Sequence, residues 1–172
     1  MPWTERHGTT GPVMTPIWAD RRVIEWSRWL LDSHRYWTGR DLLDLTGDRE
    51  AQAQALFNAP LIVVSHGTEP DPILNYGNHA ALVLWDMTWE RLVRTPSRLT
   101  AEAMEREERE RMLEQAKSQG FFDGYRGVRV SSTGRRFLIE GAVIWTVLNG
   151  TGAAVGQAAS FSRWHWLNDV NT

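Results

Sequence analysis

The sequence is 172 residues long, about the size of one domain, and its hydrophobic content of 42% is ordinary for a globular protein. Its 21 acidic and 19 basic residues argue against a general electrostatic grip on nucleic acid, because such binding needs a basic face. The absence of cysteine excludes disulfides, thiolate metal sites, cysteine nucleophiles and cysteine-linked chromophores. No segment resembles a signal peptide or a membrane span. We therefore expect a soluble cytoplasmic protein that binds neither nucleic acid nor membrane.

The N-terminal third is predicted to be an irregular leader followed by helices. Residues 1–18 are rich in glycine and proline, which favour irregular structure. Apolar residues at helical spacing predict a helix over 19–45, interrupted near Gly39, and a second helix over 48–58. Asp20 is expected to cap the first helix. This helical extension is expected either to cover the domain or to form a homodimer through the N-terminal helices.

The remaining residues, 59–168, predict one sheet with helices. Apolar runs and period-two alternation indicate strands at 61–65, 72–76, 125–131, 135–148 and 155–166, and helical patterns indicate helices at 79–85, 89–93 and 101–119. Asn78 and Thr100 are expected to cap helices, and Gly120 to end the long one. Phe137, Ile139, Val143, Trp145 and Val147 are expected on one face of their strand. The predicted fold class is α+β, a five-stranded antiparallel sheet with short helices on one face and an N-terminal helical extension.

The stretch 60–78 concentrates groups capable of chemistry. An apolar strand delivers His66 into a turn that also carries Asp71. Asp71 can hold His66 in one tautomer, which would give an acid–base pair; alternatively both residues, with His79, bind a metal, or they only stabilise the turn. Their spacing matches no specific metal motif, so no metal site is assigned. Ser65 does not complete a catalytic triad with His66, because neighbours on a strand point to opposite faces.

Ten tryptophans are an unusually large number for this length. Trp85, Trp89 and Trp145 are candidates to line a pocket for a flat or apolar ligand. The alternative is that these aromatic side chains only fill the core, as aromatic residues mostly do.

The arginines indicate the charge of a ligand. Arg98, Arg129 and Arg136 are expected where strands and helix converge, and a guanidinium binds carboxylate or phosphate through two hydrogen bonds. Structural ion pairs are the alternative, preferred for Arg136, with acidic partners among Glu102, Glu140 and Asp71. The charged centre of the long helix is expected to be solvated, unless Arg109 or Arg98 turns inward towards an anion.

The order of elements, and an asparagine directly before the first short helix, resemble a PAS domain. More specific motifs resemble the MEKHLA domain over about residues 25–161. These motifs are Ser65-His66-Gly67, Asp71-Pro72-Ile73-Leu74-Asn75-Tyr76-Gly77-Asn78, Pro96-Ser97-Arg98 followed by Ala101-Glu102, Gly124-Tyr125-Arg126-Gly127-Val128-Arg129-Val130-Ser131, Gly134-Arg135-Arg136-Phe137 and Gly156-Gln157-Ala158-Ala159. The MEKHLA domain is a PAS-related module found alone in bacteria and algae and at the C-terminus of plant homeodomain–leucine zipper transcription factors. No homeodomain or zipper segment is present here, so no transcriptional role is inferred.

The resemblance implies a ligand between the inner sheet face and the short helices. The candidate ligand-binding residues are then His66, Asp71, Asn75, Tyr76, Trp85, Trp89, Arg98, Arg129, Arg136, Trp145 and Gln157. We expect a sensor or binding module with a Trp-lined pocket for an aromatic or carboxylate-bearing molecule. The alternatives are a small enzyme that uses His66 and Asp71, and a protein-interaction domain without a ligand.

The resemblance names no cofactor. A cysteine-adduct flavin is excluded, and haem lacks an axial histidine on the long helix, residues 101–119. His79 on the short helix is the alternative axial ligand, although a histidine at a helix start is more often partly exposed. Non-covalent flavin remains open, so the cofactor is unassigned.

Overall fold

The computed structural model describes residues 14–168, apart from the side chains of residues 103–105. The five helices are α1 (Arg21–Thr38), α2 (Arg49–Phe57), α3 (His79–Trp85), α4 (Trp89–Leu92) and α5 (Ala103–Gln119), and two 3-10 turns lie at Ile17–Ala19 and Ser97–Thr100. The six strands are β1 (Ile62–His66), β2 (Leu74–Gly77), β3 (Phe121–Val130), β4 (Arg136–Leu148), β5 (Ala154–Phe161) and β6 (Arg163–Trp166). Of the predicted leader, residues 1–13 lie outside this range. None of the helices in this range combines the length and the apolar character needed to cross a bilayer.

The strands form one antiparallel sheet in the order β2-β1-β5-β4-β3. The last predicted strand, 155–166, is divided at Ser162 into β5 and β6, and both parts pair with β4. The predicted α+β class with an antiparallel sheet is confirmed. The sheet has one more strand than predicted because of this division.

Helices cover both faces of the sheet. On the face that we call inner, α3 and α5 contribute Trp85 and Ala116 to a core with strand residues such as Ile144. On the outer face, α1 and α2 contribute Leu30 and Leu56 to a separate core. The helical extension therefore covers the sheet on the side opposite the short helices.

The helix ends follow the local sequence in most places. Asp20 accepts a hydrogen bond from the Arg22 amide at 2.8 Å at the start of α1, and Gly39 ends it in the left-handed conformation. The predicted cap at Thr100 was wrong. Its hydroxyl donates to the Ser97 carbonyl at 2.7 Å, because Thr100 belongs to the 3-10 turn that precedes α5.

A β-bulge interrupts β4. Two pairings, Tyr125 with Ala142 and Gly127 with Ile139, place an extra residue on β4 between them. Gly141 lies in this bulge with φ of 63°, a conformation that glycine adopts without steric cost. An extra residue reverses the alternation of side chains beyond it.

The bulge divides the strand face that the sequence predicted to be continuous. Phe137 and Ile139 belong to the inner core, whereas Trp145 and Val147 belong to the outer core. Val143 packs with Trp145 and Val147 on the outer side, so the prediction that all five residues lie on one face was wrong.

Candidate functional site

A cavity of about 50 Å³ lies between the inner sheet face and α3 and α5. We call it the inner cavity. Its apolar wall includes Val64, Leu113, Ile139, Ile144 and Phe161, and its polar side chains include His66, Ser97, Thr100, Arg109, Tyr125, Arg129 and Gln157, with Trp85 beside them.

Two arginines are buried at this cavity. Arg109 of α5 is 9% exposed and its guanidinium donates to the Ser97 hydroxyl. Arg129 of β3 is 7% exposed and donates to the Tyr125 hydroxyl at 2.7 Å and to the Val128 carbonyl at 3.1 Å. Among the side chains that the structure describes, no carboxylate forms an ion pair with either arginine. Among the described side chains, the hydrogen-bond partners of both cations are therefore neutral groups.

The two guanidiniums also affect each other. Burial lowers the pKa of Arg109 to about 10, and the neighbouring charge of Arg129 acts in the same direction. Because a buried cation is disfavoured both by desolvation and by a like charge, an anion placed between them would be stabilised strongly.

His66 lies at the end of β1, on the inner side, and is 8% exposed. Its Nδ1 is 2.8 Å from the carbonyl oxygen of Gly67. Burial, and secondarily the charge of Arg109, lower the pKa of His66 below its usual value. The imidazole is therefore neutral at pH 7, and its Nε2 is buried with no hydrogen-bond partner among the described residues.

Gln157 and Trp85 complete the polar boundary of the inner cavity. Gln157 is paired with His66 across β5 and β1, and its side-chain amide donates to the Leu113 carbonyl at 3.0 Å. Trp85 packs edge-on against Phe137, with ring centroids 5.1 Å apart, and its indole N–H has no partner.

Two predicted arginines and Asp71 lie elsewhere. Arg98 contacts Asp71 at 3.2 Å, and both side chains are about half exposed, at 46% and 53%. Asp71 therefore does not orient His66, whose Nδ1 partner is a main-chain carbonyl. Arg136 forms the preferred structural ion pair, with Glu102.

Four other predicted residues lie on the far side of the sheet. Asn75, Tyr76 and Trp89 line an open surface groove beside α1, together with Trp26. Trp145 is fully buried under α1, with its ring centroid 5.0 Å from that of His34. Only His66, Trp85, Arg129 and Gln157 of the predicted set meet at the inner cavity.

The inward position of Arg109 had a signal in the sequence. Arg109, Leu113 and Ala116 follow at intervals of four and three, which places them on one face of α5. That face packs against the sheet, so the arginine is carried inward with its apolar neighbours. Ser97 and Thr100 had no comparable pattern.

The metal-binding alternative depends on how the described His, Asp and Glu side chains are grouped. Among the side chains that the structure describes, no three His, Asp or Glu residues are grouped so that they could hold a metal ion. His79, the third ligand considered, is exposed at the start of α3.

Similar solved structures share this architecture at low sequence identity. A PAS domain from Colwellia psychrerythraea has 14% identity and a TM-score of 0.56, covering 67% of this chain and 93% of that one. A light-oxygen-voltage domain described with a flavin analogue has 15% identity and a TM-score of 0.53, covering 68% and 84%. A PAS domain from a two-component sensor histidine kinase has 14% identity and a TM-score of 0.50, covering 66% and 91%. These likenesses show a PAS-like fold.

The sequence comparison assigns the family. No curated protein matches the chain. The MEKHLA domain matches residues 24–166, which include the whole sheet and all the elements that enclose the inner cavity. The chain belongs to the MEKHLA domain family.

Proposed function

We propose that this protein is a PAS-like sensor or binding module whose ligand is a small carboxylate, held in the inner cavity by Arg109 and Arg129. The observation that carries the proposal is the burial of two guanidiniums at one cavity, with no carboxylate partner among the described side chains. The sensory role is supported by the neighbour from a two-component sensor histidine kinase.

The energetics favour an anion. A guanidinium removed from water loses hydration that is worth several kcal/mol, and a neutral hydroxyl or carbonyl replaces only part of it. Two such groups side by side add repulsion. A carboxylate would neutralise one charge and could accept two hydrogen bonds from a guanidinium, which matches its shape.

The size of the cavity separates the two ligand classes that the sequence left open. A volume of about 50 Å³ suits a small anion. An aromatic ligand needs more space, since cavities for larger organic ligands typically measure about 300–1,000 Å³. For the same reason a flavin does not fit the inner cavity. Of the two expected ligand classes, aromatic and carboxylate-bearing, the volume of the cavity supports the carboxylate.

The enzyme alternative has less support. It required His66 and Asp71 to act together, but Asp71 contacts Arg98 at the surface. Of these two residues, only His66 lies at the cavity, where its Nε2 has no hydrogen-bond partner among the described residues. The cytoplasmic location and the homodimer remain predictions, and sedimentation of the purified protein would measure the second.

Thermal unfolding in the presence of small anions tests the proposal. Sodium formate, acetate and glycolate would each be compared with sodium chloride at equal ionic strength. A ligand at a hundred times its Kd stabilises the folded state by about 2.7 kcal/mol. In a domain of this size that raises the Tm by roughly 5–10 °C. We expect such a rise for at least one carboxylate.

Matched arginine variants locate the effect. Arg109→Met and Arg129→Met should abolish the rise in Tm, whereas Arg98→Met, which removes a surface guanidinium, should retain it. A rise that survives in both cavity variants would place the anion elsewhere. If no carboxylate exceeds chloride, the proposal fails and the interaction-domain alternative gains.

A further inference from the structure

His66 lines the inner cavity and carries an unused hydrogen-bond acceptor. A carbonyl oxygen only accepts hydrogen bonds, so the 2.8 Å contact with Gly67 requires the proton of the neutral ring to be on Nδ1. The other ring nitrogen, Nε2, then carries a lone pair. This atom is buried and has no partner. A ligand that fills the cavity can satisfy it only by donating a hydrogen.

The other unsatisfied group at the cavity is a donor. Among the residues that line it within the described chain, the buried atoms without a partner are Nε2 of His66 and Nε1–H of Trp85. Together with the guanidiniums of Arg109 and Arg129, the cavity offers several donors and, at His66, an unused acceptor. A simple carboxylate such as acetate, which has only acceptor atoms, would leave Nε2 unsatisfied.

We propose that the ligand is a short 2-hydroxycarboxylate, whose carboxylate is bound by Arg109 and Arg129 and whose hydroxyl donates to Nε2 of His66. This inference rests on the proposed function and specifies its ligand class. Trp85 lines the same cavity with an indole N–H that has no partner among the described residues, and in this proposal it donates to an oxygen of the same molecule. The hydroxyl supplies the one hydrogen that His66 needs, and the carboxylate supplies the charge that the arginines need.

The volume of the cavity limits the length of this ligand. A water needs about 10–15 Å³ of such space, so about 50 Å³ accommodates roughly four water-sized groups. Glycolate is close to this size. Lactate adds one methyl group, and longer hydroxy acids would require the apolar wall to move.

His66, Arg109 and Arg129 belong to a single site. All three line the inner cavity, and each guanidinium is hydrogen-bonded to another residue of the same lining, Arg109 to Ser97 and Arg129 to Tyr125. The carboxylate of Glu69, in the loop that follows His66, accepts a hydrogen bond from the Ile73 amide at 3.3 Å. This acidic side chain is thus engaged in the loop.

Calorimetric titration of the full chain with sodium glycolate and with sodium acetate tests this inference. Both titrations would be made at pH 8, where the imidazole is neutral, and at equal ionic strength. We expect glycolate to bind about tenfold more tightly than acetate, the effect of one hydrogen bond to a buried acceptor. Equal Kd values for the two anions would overturn the inference and leave the proposed function standing. Failure of both anions to bind would overturn both.

The variant His66→Asn isolates the acceptor. Asparagine places an N–H near the position of Nδ1, which preserves the contact with Gly67, and places nothing at Nε2. The glycolate preference should fall to less than about twofold while acetate binding is kept. A preference that persists in this variant would show that His66 does not read the hydroxyl.

Nitrogen NMR of the wild-type protein keeps the test valid if the variant does not fold. The 15N resonance of Nε2 should move on addition of glycolate, because a new hydrogen bond alters its lone pair, and should move much less on addition of acetate. Identical shifts with both anions would contradict the inference.

Discussion

Gly156 of β5 packs directly against the main-chain carbonyl of His66 on β1. A methyl group at position 156 would overlap that carbonyl oxygen and would lie 3.1 Å from the ring of Trp26. Since Gln157, the next residue, pairs with His66, the absence of a side chain at Gly156 allows two cavity residues to be neighbours. Gly156 therefore lies against both His66 of the inner cavity and Trp26 of helix α1 on the other face.

The variant Gly156→Ala should lower the free energy of unfolding by about 1–3 kcal/mol, the cost of overpacking. The oxygen it meets belongs to the backbone, so relief requires the two strands to separate. Urea unfolding followed by tryptophan fluorescence would measure the loss. Gly150→Ala is the matched control, because its added methyl group meets no atom within 4 Å. Equal stability of the two variants would contradict the close packing.

Asn78 ties the first strand to helix α3. Its Oδ1 accepts hydrogen bonds from the amides of Val63 at 3.1 Å and Ala81 at 3.2 Å. Its Nδ2 donates to the carbonyls of Leu61 at 2.7 Å and Leu56 at 3.3 Å. The side chain is completely buried, as are its partners Val63, Ala81 and Leu56, so these main-chain groups have little access to water if it is removed.

Asn78→Ala should therefore cost about 3 kcal/mol, because several buried main-chain groups lose their partner at once. Asp48→Ala is an informative comparison. Asp48 is also an N-cap, but it is exposed and accepts a single bond from the Ala51 amide at 2.9 Å, so its loss should cost about 1 kcal/mol. The two free energies of unfolding should differ by about 2 kcal/mol. A similar cost for both variants would show that the role of Asn78 is confined to capping.

The sequence is sufficient to predict these local features, but it does not reveal which side of the sheet each residue faces. Asn78 was recognised as a cap because capping depends on neighbours in the chain. Uninterrupted alternation along the strand predicts Trp145 in the pocket, but the bulge at Gly141 moves it to the outer core. Bulges depend on the pairing partner, which the sequence of one strand does not reveal.

Arg109 illustrates a second limit. A dense run of charges predicts a solvated helix, and most of α5 is exposed as expected. Few apolar residues, here Leu113 and Ala116, decide which side of α5 faces the sheet. The sequence therefore predicts the inward position of Arg109, which is aligned with them, only as an alternative to a solvated one. Tertiary packing, rather than helix propensity, sets its position.

The pH dependence of stability follows from the two buried histidines. Burial lowers the pKa values of His66 and His34, so between their folded-state values and about 6.5 the unfolded chain binds more protons than the folded chain. The stability that these neutral rings contribute is complete above that range and is lost as the pH falls through it. We expect the Tm to fall between pH 7.5 and pH 5. Thermal scans of His66→Asn and His34→Gln should each show a smaller fall, and an unchanged profile in both would contradict the assignment.

Arg109→Met should separate stability from binding. Methionine is similar in length and uncharged, so the variant avoids the desolvation of a buried cation and its repulsion with Arg129. Without added anions, its free energy of unfolding should lie within about 1 kcal/mol of the wild type or above it, since the lost hydrogen bond to Ser97 is worth about as much. Leu113→Ala, on the same helix and the same cavity wall, should instead lose about 1–2 kcal/mol through reduced apolar contact. If Arg109→Met loses several kcal/mol of unfolding free energy, the guanidinium is retained for the fold. If the variant keeps its stability but loses carboxylate binding, the residue is retained for its ligand, which is the expected result.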